Sequence, residues 1–136
     1  MSQLDKGAVA PRLKHPRVWR GLGWLLVAFT AIGSLVPAGT PGLGLLNDKL
    51  EHGGGYAALT IWFSGAYPQQ RPWIIAVAFF AMGVVIELLQ GWMQLGRDRD
   101  IHDVFANTTG IVIGLLLARL WLRNWVARAE AWIAAQ

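Results

Sequence analysis

The chain has 136 residues, 54% of them hydrophobic and only 15% charged, with a formal net charge of +4. Soluble domains carry about 25% charged residues, so an ordinary soluble enzyme is set aside and a membrane protein comes first, as one compact unit at this length. The absence of cysteine excludes a disulfide framework, a thiolate nucleophile and a cysteine-rich metal site.

Residues 1–18 form a basic segment that reads as cytoplasmic. The apolar residues after it gather into four blocks, Trp19 to Val36, Asp48 to Tyr67, Trp73 to Met93 and Asp103 to Leu122. Each is of membrane-spanning length, which takes roughly 17 to 25 residues. The first is read as a span and not a signal peptide, because Val36 to Thr40 make a poor small-x-small cleavage site. A Gly/Pro-rich stretch, 37–44, follows as a loop. The uninterrupted apolar part of the second block, Gly53 to Tyr67, holds only 15 residues. It reaches spanning length only if Asp48 to His52 form its first turn. Residues 19–122 are thus expected to be a four-helix transmembrane domain, and 123–136 an interfacial tail. In that tail Trp125, Ala129, Trp132 and Ile133 keep helical spacing, so it reads as a short interfacial helix continuing from the fourth span. The expected fold class is all-α, a polytopic membrane helical bundle with four transmembrane helices.

Basic residues orient this bundle. Lys6, Arg12, Lys14, Arg17 and Arg20 precede the first span, Arg71 joins the second to the third, and Arg119, Arg123 and Arg128 flank the end of the fourth. Lys49, Arg97 and Arg99 fall on the other side. The positive-inside rule then puts both termini in the cytoplasm. The positive charge reports topology and is not gathered on a soluble face, so no nucleic-acid partner is expected; the lipid bilayer is the first partner. Trp19, Trp73, Trp121 and Trp125 fall near the cytoplasmic boundary and Trp92 near the opposite one, as an aromatic belt would place them. Trp24 and Trp62 lie deeper.

In that topology the second span starts, the third ends and the fourth starts at one outer face, where three polar clusters meet. Asp48 and His52 share a helical face, as do Glu87 and Gln90. Gln94 extends the second pair if the helix continues. Asp103, Asn107, Gly110 and Gly114 follow a 4-3-4 spacing, and Gly110-x-x-x-Gly114 and Gly53-Gly54-Gly55 allow close helix approach. Six acids, Asp48, Glu51, Glu87, Asp98, Asp100 and Asp103, face three bases there, which leaves −3. Such a sum points to protonated carboxyls, a cation, an amine or a metal, and not to a pure anion pocket. Glu87 lies deepest in apolar sequence, a carboxyl suited to general acid or base work, with His52 the other proton carrier.

Each piece also has a structural explanation. Asp48 and Asp103 stand where helix caps stand, Glu87 and Gln90 where interhelical hydrogen bonds hold packing, and Arg97 to Asp100 form a self-neutralising loop. A divalent metal on Asp48, His52, Glu87 and Asp103 suits the donor types, although no compact ligand motif marks one; no other cofactor is expected. No nucleophile elbow surrounds Ser34, and no phosphate-cradling loop is present.

Asp48-Lys49-x-x-His52 opening one helix, Glu87-x-x-Gln90 closing the next, and Arg97-x-x-Asp100-x-x-Asp103-x-x-x-Asn107-x-x-Gly110 together resemble the VanZ-like family, named for a small membrane protein linked to teicoplanin resistance. The resemblance covers residues 20–122, and Tyr56, four after His52, fits it. It implies a multi-pass protein of the bacterial cytoplasmic (inner) membrane, with an expected link to the cell envelope and to glycopeptide resistance; it implies no reaction. The expected function is action on, or binding of, an amphiphilic envelope lipid or glycopeptide-like substrate, and whether the chain is an enzyme stays open. Asp48, His52, Glu87 and Asp103 are the candidate catalytic residues; Lys49, Gln90, Arg97, Asp100 and Asn107 are the candidate substrate-binding residues. The alternatives are a structural protein whose polar groups satisfy one another in a homo-oligomer and, ranked last, a proton- or cation-coupled transporter.

Overall fold

Five helices make up the regular structure among the described residues, which are 10–37, 40, 48–94 and 100–136 of this computed structural model. They are α1 (Pro16–Leu35), α2 (Asp48–Ala66), α3 (Pro72–Met93), α4 (Ile101–Leu120) and α5 (Trp125–Ile133). Prolines open α1 and α3, where a missing amide costs nothing because the first turn leaves amides unpaired anyway. Asp100 caps α4 by accepting the His102 amide at 2.8 Å, which corrects the expectation of a cap at Asp103; that residue lies within the first turn. Gln94 takes the left-handed conformation (φ 51°) and stops α3, so the face of Glu87 and Gln90 does not extend to it.

Successive helices run up and down. Gln90 near the end of α3 donates to the carbonyl of Ser34 near the end of α1, so these two are parallel. Lys49 and His52 at the start of α2 meet Asp103 and Asn107 at the start of α4, so this pair is parallel too. One end of the bundle therefore collects the ends of α1 and α3 with the starts of α2 and α4.

α2 is the central helix: His52, Tyr56, Leu59, Thr60, Phe63 and Ala66 are all buried, and it packs chiefly on α4. The approach is close because glycine lines it. A Cβ on Gly110 would overlap the Gly53 carbonyl, and one on Gly114 would lie 2.7 Å from the Ala57 carbonyl oxygen. Of the three successive glycines only Gly53 makes this contact, since Gly54 has nothing within 4 Å. Lower down, Phe63 stacks on Tyr67 and meets Trp24 and Phe79 edge-on at centroid distances of 5.1 to 5.5 Å.

Three helices, α1, α3 and α4, are long and apolar enough to cross a membrane. The expected fourth, α2, is not, because Asp48, Lys49 and Glu51 crowd its first turn. Its composition is that of an interior helix whose polar groups find partners on neighbours. The helices around it turn bulky apolar side chains outward, among them Leu25 and Phe29 on α1, Phe80 and Leu88 on α3, and Phe105 and Leu116 on α4.

The tail departs from expectation as well. Asn124 (φ 58°) separates α5 from α4, so α5 does not continue the fourth helix but folds back onto α2, with Trp125 donating to the Ile61 carbonyl. Val126 and Glu130 are its buried residues, while Trp132 and Ile133 are exposed. Trp19, Trp62 and Trp125 pack together at centroid distances of 5.2 to 5.7 Å. Beside them the amides of Lys14 and His15 and the indole of Trp19 donate to the Glu130 carboxylate at 2.6, 2.8 and 3.0 Å. Burial pushes this carboxyl up, but the two amides and the indole outweigh it and hold it below its ordinary range.

Two outcomes are expected. Gly110→Ala should destabilise the bundle by about 1–3 kcal/mol through overpacking, whereas Gly54→Ala should stabilise it by up to about 1 kcal/mol through helix propensity; thermal unfolding in detergent checks both. A carboxyl depressed by folding contributes stability that is complete above its unfolded pKa and is lost as pH falls through its folded one. Docking of α5 should therefore persist through the ordinary carboxylate range and fail only below it, read as a change in tryptophan emission. Glu130→Gln should weaken the docking at neutral pH by about 1.5–3 kcal/mol.

Candidate functional site

Polar side chains from α2, α3 and α4 converge at the end of the bundle where α2 and α4 begin. His52 projects from α2 one turn before Tyr56, and both are buried. Its Nδ1 is 3.1 Å from Asn107 Oδ1, and its Nε2 is 3.7 Å from Asp103 Oδ2. The amide oxygen can only accept, so Nδ1 donates to it, and Nε2 faces the Asp103 carboxylate. Asp103 and Asn107 share the stripe with Gly110 and Gly114 read from their spacing, and all four are buried.

α3 contributes Glu87, only 5% exposed, whose Oε2 accepts the Asp100 amide at 3.2 Å. One turn earlier is Gly83, where a Cβ would stand 3.1 Å from Asn107 Nδ2 and 3.4 Å from the Tyr56 hydroxyl. Glycine thus makes room for both groups. Glu87 Oε1, Tyr56 Oη and Asn107 Nδ2 are buried side-chain atoms without a hydrogen-bond partner among the described residues. Buried polar groups are paired in nine cases of ten or more, so three orphans in one centre are unusual.

A wetter rim closes the centre. Lys49 donates to Asp103 and, at 2.6 Å, to Asp100 Oδ2. The side chains of Lys49 and Asp100 are 41% and 39% exposed, against 8% for Asp103. The Lys49 ammonium, followed by the amide and ring of His102, holds the Asp100 carboxyl well below the ordinary carboxylate range. His102 itself is exposed and serves Asp100 from outside, its Nδ1 2.7 Å from Asp100 Oδ1.

His52, Glu87, Asp103 and Asn107 therefore form the floor, with Lys49 and Asp100 above them. Gln90 is buried but turns to α1, donating to Ser34 O at 2.7 Å. Asp48 opens α2, and its side chain lies outside the described residues, as do Arg97, Asp98 and Arg99. Tyr56 and Gly83 complete the centre without having been among the candidates; the available signal was their four-residue spacing from His52 and Glu87, which puts each pair on one helix face. His52, Glu87 and Asp103 each offer a ligand atom within 4.8 Å of the others, and among the described residues they form a group that could hold a metal ion.

Comparison with the curated proteins and with the solved structures found no match. The VanZ/LLP1 family model matches residues 16–122. That stretch runs from the first residue of α1 to just beyond α4 and contains every side chain of the polar centre. The chain belongs to the VanZ/LLP1 family.

Proposed function

We propose that this VanZ-like protein binds the polar head of an amphiphilic envelope lipid in the centre formed by α2, α3 and α4. The observation that carries this reading is the set of three buried polar atoms without a partner among the described residues, Glu87 Oε1, Tyr56 Oη and Asn107 Nδ2. A centre that served only to hold helices together would pair them, since each unmet group costs about 1–3 kcal/mol. One acceptor with two hydrogen-bonding groups suits a neutral polar head such as a hydroxyl or amide. The rim of Lys49 and Asp100 suits the charged part of a headgroup. In this reading Asp48, His52, Glu87 and Asp103 form the reactive centre, and Lys49, Asp100, Asn107 and Arg97 hold the ligand around it, while Gln90, bonded to the Ser34 carbonyl, fixes α3 against α1.

The same proposal includes four spans in a bacterial cytoplasmic membrane, α2 crossing inside the other three, with both termini cytoplasmic. Charge supports it. Arg12, Lys14, Arg17, Arg20, Arg71, Arg119, Arg123 and Arg128 all belong to the end opposite the polar centre, and basic residues favour the cytoplasmic side. The ligand would then come from the outer leaflet. The link to glycopeptide resistance has no residue of its own in this chain and rests on the family resemblance.

Tyr56→Phe tests the reading, because it removes a hydroxyl that has no partner among the described residues. The variant should unfold at the same temperature as wild type or slightly above it, yet retain several-fold less co-purifying lipid by native mass spectrometry of protein released from membranes. Glu87→Gln should do the same, since its amide oxygen can still accept from the Asp100 amide. Equal lipid retention in wild type and both variants, or none in wild type, would overturn the proposal in favour of a structural centre.

A further inference from the structure

We propose that His52, Glu87 and Asp103 ligate a divalent first-row transition cation, with Zn2+ and Mn2+ as the probes. The donors come from three helices, and their ligand atoms lie within 4.8 Å of one another. A tetrahedral ion with ligands at about 2.1 Å sets those atoms about 3.4 Å apart; His52 Nε2 and Asp103 Oδ2 are at 3.7 Å. One imidazole nitrogen and two carboxylate oxygens are a donor set that such ions accept.

Three further observations point to a cation. The imidazole is held from behind: Nδ1 donates to Asn107 Oδ1 at 3.1 Å, which aims Nε2 at Asp103. Metal-bound histidines are oriented by this kind of second hydrogen bond. Glu87, nine-tenths and more buried, gives one oxygen to the Asp100 amide and keeps the other, Oε1, unpartnered. Charge points the same way. Glu87, Asp100 and Asp103 against Lys49 leave −2 among the described residues in mutual contact, which a divalent ion cancels. The fourth coordination position would face the proposed headgroup, so this inference shares its centre with the lipid-binding reading but not its ligand.

The test uses the full chain purified in detergent, stripped with chelator and titrated with Zn2+ and Mn2+. Bound metal is counted by mass spectrometry of the element after gel filtration. Wild type and the exposed-histidine control His102→Ala should bind about one equivalent per chain. His52→Gln and Glu87→Gln should lose it, and Asn107→Ala should weaken it by about 10–100-fold, as removal of an orienting partner does. Co2+ added to wild type should give visible ligand-field bands that Zn2+ displaces. Wild type that takes up neither metal stoichiometrically and shows no Co2+ bands would overturn the proposal, and this readout needs no variant to fold. Binding that survives Glu87→Gln or vanishes in His102→Ala would overturn it as well. Metal binding without lipid retention leaves this inference standing and removes the other reading; lipid retention without metal does the reverse.

Discussion

Everything at the polar end depends on how closely α2 approaches α4. No side chain intervenes where Gly53 faces Gly110, and Gly114 meets the backbone of Ala57 in the same way. In lipid there is little hydrophobic gain from bringing helices together, so small residues that let backbones touch carry much of the association through van der Waals contact. At that separation His52 reaches both Asn107 and Asp103, and Lys49 reaches Asp103 and Asp100. Wider spacing would leave the same side chains as separate helix-end charges. The glycines are thus part of the site although they touch no ligand.

α3 completes the arrangement by a different device. Gly83 removes a side chain where Tyr56 and Asn107 need room, and Glu87 one turn later reaches the backbone of Asp100. Asp100 then has three tasks: it caps α4, pairs with Lys49, and offers its amide to Glu87. A carboxylate and an amide at one helix start couple α2, α3 and α4, which explains why polar residues can lie beside so much apolar surface.

The opposite end is organised by a carboxylate too, with another result. Glu130 takes two backbone amides at the entry to α1 and one indole, and so ties the last helix to the first. Both Glu130 oxygens accept hydrogen bonds from the protein, and tryptophans fill the space around them. That saturation contrasts with the unpartnered atoms around Glu87. These two buried carboxylates thus differ in whether the described residues supply all their partners.

Apolar block lengths were enough to give the four long helices to within three residues at each end, because a spanning helix must satisfy its own backbone and so writes its length into composition. The 4-3-4 spacing of Asp103, Asn107, Gly110 and Gly114 likewise gave one buried stripe, since helical period alone decides which residues share a face. Long-range contacts were another matter. That Gly53 and not Gly54 meets α4, that Asp100 rather than Asp103 caps it, and that Gln90 turns to Ser34 all depend on rotation and depth of one helix against another. Nothing local encodes those quantities. Trp125, Ala129, Trp132 and Ile133 could be read as one apolar face, but the left-handed Asn124 breaks the run from α4 and turns Trp125 back onto α2. The sequence by itself determined the helices, the family resemblance and the set of polar residues gathered at one end. Only the tertiary structure decided which of those residues touch, because their partners lie about fifty positions away and meet through packing.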